Sequence, residues 1–329
     1  MAIRSGVKRI LVTGVSGFVG KYMVRELAAS GHRVWGLSRV QREDAIEGLE
    51  QHVIADLLDE DAIRTALSTI KPNIILHLAA QSNPALSWDL PLDTFEANVG
   101  MTISMLRAAR ICPEARFYFV SSSDVYGRPE ERFLPISEQQ ALVPDNPYAV
   151  SKISAEHCAR LYGQRSGLEV GIIRPFSHTG PGQTSSFVVP SFAKQIAEIE
   201  FGIREFLNHG DVSTYRDFTD VRDIVRAYRL IMEHPRCIPV VNVCSGKTIQ
   251  IQTILEKLMQ QAKVEIRVKV DPNRQRMEKS TPLRGSNELL IRETGWEPQY
   301  SIEQTLADVL DEQRRHLAIS QSSKRFEAS

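Results

Sequence analysis

Tyr148 and Lys152 stand four residues apart in Tyr148-Ala149-Val150-Ser151-Lys152, the spacing that stacks two side chains on one face of a helix. A phenol titrates near pH ~10 and is a poor proton carrier at neutral pH. A neighbouring ammonium favours the phenolate, and a downward shift of ~3 units corresponds to about 4 kcal/mol between the two protonation states. A phenol tuned in this way could pass a proton to or from a substrate oxygen. Upstream, Ser121-Ser122-Ser123-Asp124-Val125-Tyr126-Gly127 follows the apolar run Phe117 to Val120. A serine hydroxyl at the end of such a strand can hydrogen-bond a reacting carbonyl, although serines there also serve plain turns.

A second motif supplies the context that a lone Tyr-x-x-x-Lys lacks. Thr13-Gly14-Val15-Ser16-Gly17-Phe18-Val19-Gly20 has glycines at i, i+3 and i+6, just after the apolar run Ile10-Leu11-Val12. Gly14 allows the tight turn, Gly17 lets backbone approach a pyrophosphate, and Gly20 lets the next helix pack on the strand. The helix N-terminus then meets the negative charge. An NAD site usually ends its second strand with an acidic residue on the ribose 2′-hydroxyl. His32 to Val40 contains none, and Arg39 lies just past Leu37-Ser38, where a guanidinium would pair with a 2′-phosphate. NADP(H) is therefore expected, with NAD(H) as the alternative. The cationic oxidised nicotinamide would add to the pull of Lys152 on Tyr148. Asp56, after the third strand, either accepts from the adenine amino group or caps the following helix.

The elements that must position these groups alternate. Strands are predicted over Ile10–Val12, Val34–Leu37, His52–Ala55, Ile74–Ala80, Phe117–Ser121 and Val170–Ile173. Between them, helical patterns run through Val19, Met23 and Leu27, then over Asp59–Ile70, Leu92–Ile111 and Tyr148–Gln164. The fold class is α/β, a doubly wound parallel sheet that gathers ligands at the carboxyl ends of its strands. After Pro175 the pattern loosens. Turn residues cluster at His178-Thr179-Gly180-Pro181-Gly182, helices follow near Val189–Phe201 and Val221–Met232, and a strand covers Val240–Val243. The predicted organisation is a dinucleotide-binding domain over 1–175 and 208–243, an interleaved smaller α/β substrate-binding domain over 176–207 and 244–319, and a flexible polar tail over 320–329.

Composition narrows the classes. The 329 residues include 40 Lys plus Arg and 40 Asp plus Glu, with 42% hydrophobic residues. No global basic field exists, so no nucleic-acid partner is expected. Residues 1–40 hold seven basic residues against one acidic, and residues 41–65 hold two against eight. The first run overlaps the phosphate cradle, and the second reads as a solvated helical face. Four scattered cysteines form no Cys-x-x-Cys pair and no His/Cys/Asp cluster appears, so neither a disulfide framework nor a metal site is expected. The N-terminus lacks the apolar core of a signal peptide and no apolar run approaches ~20 residues, so no membrane partner and a cytoplasmic location are expected.

Taken together, Gly14-x-x-Gly17-x-x-Gly20, Leu78-Ala79-Ala80, Ser121 to Gly127 and Tyr148-x-x-x-Lys152 resemble the extended short-chain dehydrogenase/reductase family over nearly the whole chain. Arg174 to Gln183, Phe187 to Gln195, Arg216-Asp217-Phe218-Thr219-Asp220-Val221 and Thr294-Gly295-Trp296-Glu297-Pro298 resemble its nucleotide-sugar branch. The resemblance implies Ser122 as the substrate-orienting hydroxyl, Tyr148 as acid/base and Lys152 as its activator and holder of the nicotinamide ribose. It implies that Gly14, Ser16, Gly17, Phe18, Val19, Gly20, Arg39, Asp56, Leu57, Leu78, Ala79 and Ala80 contact the cofactor along with Tyr148 and Lys152. It implies a nucleotide-diphosphate sugar held by Ser123, Asp124, Ser177, His178, Val188, Arg216 and Arg276, the two arginines on the diphosphate, and a homodimer formed through the Leu92–Ile111 and Tyr148 helices.

The activity implied is NADPH-dependent reduction of the C4 ketone of a GDP-4-keto-6-deoxyhexose, giving GDP-D-rhamnose. Related 4,6-dehydratases carry acidic residues, usually ending in a glutamate, where this chain has Ser123 and Asp124. The missing glutamate favours plain reduction, and Asp124 keeps dehydration open. The alternatives are therefore a GDP-mannose 4,6-dehydratase, a 4-epimerase, and a non-enzymatic NADP-binding sensor or scaffold. Ser177, where asparagine is usual, and Ser286, where aspartate is usual, depart from the family pattern.

Overall fold

The computed structural model describes residues 6–41, 46–271 and 283–327, with side chains described as far as residue 321. β1 (Arg9–Thr13) is buried from Ile10 onward, as a strand covered on both faces must be. α1 (Phe18–Ala29) turns Gly20, Met23, Val24 and Leu27 inward, and Gly31 at φ 85° closes it. Then come β2 (Arg33–Ser38), β3 (Leu49–Ile54) and α2 (Glu60–Ile70). The carboxylate of Asp59 caps α2 by accepting from the Ala62 N–H at 3.0 Å. After β4 (Ile74–His77), α3 (Leu86–Asp89) and α4 (Pro91–Phe95), a π-helical turn over Glu96–Gly100 leads into α5 (Met101–Ala109). β5 (Arg116–Val120) precedes α6 (Pro147–Ser166), which starts on the Asn146 cap and ends at left-handed Gly167. The second half holds β6 (Glu169–Pro175), β7 (Ser177–Thr179), α7 (Val188–Glu200), β8 (Phe206–His209), β9 (Tyr215–Asp220), α8 (Val221–Glu233) and β10 (Val240–Val243). β11 (Thr248–Gln250), α9 (Ile251–Gln260), β12 (Arg267–Val270), α10 (Glu288–Thr294) and α11 (Ile302–Glu327) complete the chain.

Seven strands form one sheet in the order β10-β6-β5-β4-β1-β2-β3, every pairing parallel. The order reverses between β1 and β4, and the crevice outside a switch point of that kind is where such sheets bind ligands. One apolar core packs α1 and α8 on one face, and another packs α2, α5 and α6 on the other. A separate core gathers α7, α9 and α11 beside two small sheets, β11-β9-β7 and β12-β8.

Four sequence expectations are corrected. β4 stops at His77 rather than Ala80, because the Ala79 N–H is taken by the Thr13 side chain at 3.1 Å and not by a neighbouring strand. The helix predicted over Leu92–Ile111 is split by the π turn. The polar stretch from Ser320 continues α11 to Glu327, since neither glycine nor proline breaks the helix there. Five strands of three to six residues in the second half went unpredicted, because polar residues interrupt each of them and none carries a continuous apolar run.

Candidate active site

A cleft of about 1450 Å³ runs over the carboxyl edge of the large sheet to the wall made by β7, α7 and β9. Every residue named from the sequence as a catalytic, cofactor or substrate contact lines it, except Arg276, which lies outside the described residues.

At the cradle, Gly14 has φ 72° and a Cβ there would meet the Ala79 nitrogen at 2.9 Å. A Cβ on Gly20 would lie 2.6 Å from Val15 Cα, so the α1 backbone sits directly on the loop. Gly17 is the N-cap of α1 with no side-chain cap, which leaves first-turn N–H groups for an anion. Ser16, Phe18 and Val19 flank it, and Leu78, Ala79 and Ala80 line the cleft beside Gly14. Arg39 is exposed at the rim one residue past β2, and Leu57 is buried. Asp56 spends one carboxylate oxygen on the Leu58 N–H at 2.9 Å, shaping the turn before α2, while Asp59 takes the capping role. These residues fit a dinucleotide. So does Ser121 Oγ, which is buried on the cleft wall with no hydrogen-bond partner. Sequence reasoning passed over Ser121, since three consecutive serines do not reveal which one the fold leaves unpartnered.

At the catalytic end, Asn146 starts α6 so that Tyr148, Lys152 and Glu156 share its buried face. The Tyr148 N–H donates to Ser87 Oγ at 3.1 Å, and Lys152 Nζ donates to the Val120 carbonyl at 2.8 Å. Lys152 Nζ also lies 4.8 Å from the Phe119 ring centroid. Burial pushes the Tyr148 phenol far up, the Asp124 carboxylate pushes the same way, and a hydrogen bond with Ser122 offsets part of it. Burial pushes the Lys152 amine down to about 7, against the pull of Glu156. Among the chain's own groups, burial outweighs the downward pull expected of Lys152 and favours the protonated phenol.

The opposite wall of the cleft is more open. Ser123 is buried, Asp124 is half-buried at the turn after β5, and Val188 starts α7. Ser177 and His178 lie on β7, with His178 Nδ1 2.9 Å from the Phe176 carbonyl. Nδ1–H therefore donates and Nε2 is the acceptor, while burial lowers the ring's pKa. The ring stacks on Phe18, centroids 6.3 Å apart, which joins this wall to the cradle. Arg216, half-buried on β9, donates to the Tyr215 carbonyl at 2.8 Å. Behind it, Asp217 accepts from Ser245 N–H and Oγ–H, Gly246 N–H and Gly285 N–H at 2.6 to 3.2 Å. No sequence signal marks Asp217 as this knot, because its partners lie 28 to 68 residues away. Among the described residues, no group of three His, Cys, Asp or Glu could hold a metal, and no helix is long and apolar enough to cross a membrane.

Comparison with known proteins agrees with this arrangement. Residues 11–309 match the family model described as GDP-mannose 4,6 dehydratase. The chain is 37% identical over 307 residues to GDP-6-deoxy-D-mannose reductase of Pseudomonas aeruginosa, covering 93% of this chain and 97% of that one. Among solved structures, RMD from Pseudomonas aeruginosa complexed with NADPH matches with a TM-score of 0.83 and 36% identity, over 94% of this chain and 100% of that one. UDP-glucose 4-epimerase of Thermus thermophilus in complex with NAD matches with a TM-score of 0.82 and 26% identity, over 93% of this chain and 99% of that one.

Proposed function

The chain belongs to the GDP-mannose 4,6-dehydratase family, and from that premise we propose that it reduces the C4 ketone of a GDP-4-keto-6-deoxyhexose, giving GDP-D-rhamnose. The observation that carries this reading is the cleft in which Ser122, Tyr148 and Lys152 stand beside the Gly14 to Gly20 cradle, on a chain 37% identical to a GDP-6-deoxy-D-mannose reductase; burial raises the Tyr148 pKa and so favours the protonated form. Reduction of a ketone begins with a proton donor, whereas oxidation of an alcohol, the opening step of a 4-epimerase, begins with a base.

NADPH, when bound, supplies the hydride that C4 receives. Ser122 donates a hydrogen bond to the C4 oxygen and orients it. The Tyr148 hydroxyl gives its proton to that oxygen, and water reprotonates the resulting phenolate. Lys152, with a pKa pushed to about 7 and anchored on the Val120 carbonyl, offers positive charge as that phenolate forms. The cradle from Gly14 to Gly20 holds the pyrophosphate, Arg39 the 2′-phosphate, and Asp56 and Leu57 the adenine end, with Leu78, Ala79 and Ala80 along the dinucleotide. Arg216 and Arg276 hold the sugar-nucleotide diphosphate, while Ser123, Asp124, Ser177, His178 and Val188 line the hexose and base.

Residues 1–175 and 208–243 form the cofactor half in this reading, and 176–207 and 244–319 the substrate half. Exposed Leu92 on α4 and Val150 and Leu161 on α6 suit burial against a second copy of the chain. Light scattering on Leu161→Glu tests the homodimer. Four unpaired cysteines suit a reducing, cytoplasmic setting.

A second reading has one observation in its favour. Asp124 lines the cleft close enough to raise the Tyr148 pKa, and a carboxylate there is the kind of base that 4,6-elimination needs. Parallel incubations with the ketone and with GDP-mannose, each with NADPH, separate the readings. Loss of NADPH matching product formed supports reduction. Ketone formed from GDP-mannose with no net NADPH loss supports dehydration, and tight NADPH binding without turnover supports a sensor or scaffold.

A further inference from the structure

Thr13, His77 and Thr102 form a buried polar run for which the chemistry above has no use. His77 is 1% exposed, its ring against Phe117 and Phe119 with centroids 5.9 and 6.1 Å away. Nδ1 lies 2.9 Å from Thr13 Oγ1 and Nε2 lies 3.2 Å from Thr102 Oγ1. The partners fix every proton. The Thr102 hydroxyl hydrogen is committed to the Asn98 carbonyl at 2.7 Å, so Thr102 Oγ1 accepts from His77 Nε2–H. The bare Nδ1 then accepts from the Thr13 hydroxyl, and Thr13 Oγ1 accepts from the Ala79 N–H at 3.1 Å. Burial, helped by the charge of Lys152, pushes the ring's pKa down to about 3, so it keeps a single hydrogen.

The run continues past the carbonyl. Asn98 sits in the π turn, a helix distortion that recurs at functional sites. Its side chain accepts from the Gln81 N–H at 2.8 Å and donates to Ser151 Oγ at 2.9 Å. Ser151 in turn donates to the Tyr148 carbonyl at 2.7 Å. Two runs of hydrogen bonds, joined through the Asn98 residue itself, therefore lead from the loop beside the glycine cradle to the backbone of Tyr148.

We propose that His77 is a positioning residue for the reduction, a neutral imidazole that fixes the spacing between the cofactor loop Leu78–Ala80 and the helix bearing Tyr148. The proposal deepens the reductase reading and rests on it. A shift of about 1 Å between reacting groups costs up to about a hundredfold in rate, and no aliphatic side chain could pass the line from one threonine to the other.

Thr102→Val keeps the side chain's shape and removes the acceptor, while Thr102→Ser keeps the hydroxyl. Thr102→Val is expected to lower kcat about tenfold, with the KM for the sugar nucleotide and the Kd for NADPH within about twofold, and Thr102→Ser to restore kcat. Long-range proton–nitrogen NMR of histidine-labelled protein should show His77, assigned by its shift in Thr102→Ser, as the Nε2–H tautomer from about pH 5 to about pH 8. Wild-type kcat in Thr102→Val, or an Nδ1–H or titrating ring, overturns the proposal. If Thr102→Val does not fold, the wild-type tautomer and the kcat of Thr13→Val decide in its place. A wild-type protein that leaves the ketone unreduced sinks the reductase reading, whereas an Nδ1–H ring sinks the hydrogen-bond line whatever the reaction.

Discussion

At one end of the cleft, Tyr148 and Lys152 are 6% and 3% exposed, on a helix anchored to Ser87, to Asn98 through Ser151, and to the Val120 carbonyl. At the other, Ser177, His178 and Arg216 are half-buried on strands of three and six residues paired with each other. The first end changes protonation by excluding water, and its electrostatics are set by burial more than by neighbouring charge. In the proposed reaction the second would grip a charged ligand that carries its own hydration into a more open cleft, where guanidinium groups work without full desolvation. Proton chemistry belongs where the dielectric is low, and recognition of a diphosphate where two partners can meet and part.

That contrast can be broken by separating rate from affinity. Tyr148→Phe should lower kcat with the ketone about a thousandfold while leaving the Kd for NADPH within about twofold, measured by steady-state turnover and fluorescence titration. A fall of less than tenfold would place the proton donor elsewhere. Arg216→Ala should raise the KM for the sugar nucleotide about thirtyfold and change kcat less than about threefold. A loss confined to kcat would mean that the open wall takes part in the chemistry.

Two smaller effects sharpen it. Arg39→Ala should weaken NADPH about tenfold and leave NADH unchanged, as isothermal titration would record, because only one of them carries the 2′-phosphate. The last concerns pH. The Lys152 pKa falls from 10.5 to about 7 on folding, so between those values the unfolded chain holds the extra proton and stability rises with pH. Below about pH 7 both states are protonated and the full cost of burying the charge stands. The melting temperature of wild type should therefore gain on that of Lys152→Met as pH climbs from about 7 toward 10, and a constant gap would show that Lys152 is not electrostatically strained.

Legibility followed the same division. That Tyr148, Lys152, Ser122 and the cradle glycines line one cleft was readable because each motif is local and its spacing maps onto one turn of helix or one strand end. Asp217, Asn98 and the unpartnered Ser121 were not, because what distinguishes them is whom they meet across tens of residues. The upward push on the Tyr148 pKa was not legible for a related reason. The sequence displays the nearby lysine but not the depth at which both groups lie, and here depth is the larger effect.

The amino-acid sequence by itself determined the alternation that makes a parallel sheet, the glycine turn that admits a dinucleotide, and the side chains able to move a proton, since these depend on periods of two to seven residues. Only the tertiary structure decided that β7, β9 and β11 pair into a second sheet, that Asp217 ties two loops to β9 behind Arg216, and that burial raises the Tyr148 pKa. Those outcomes depend on loop closure and on water excluded by distant segments, quantities that no local stretch of chain contains.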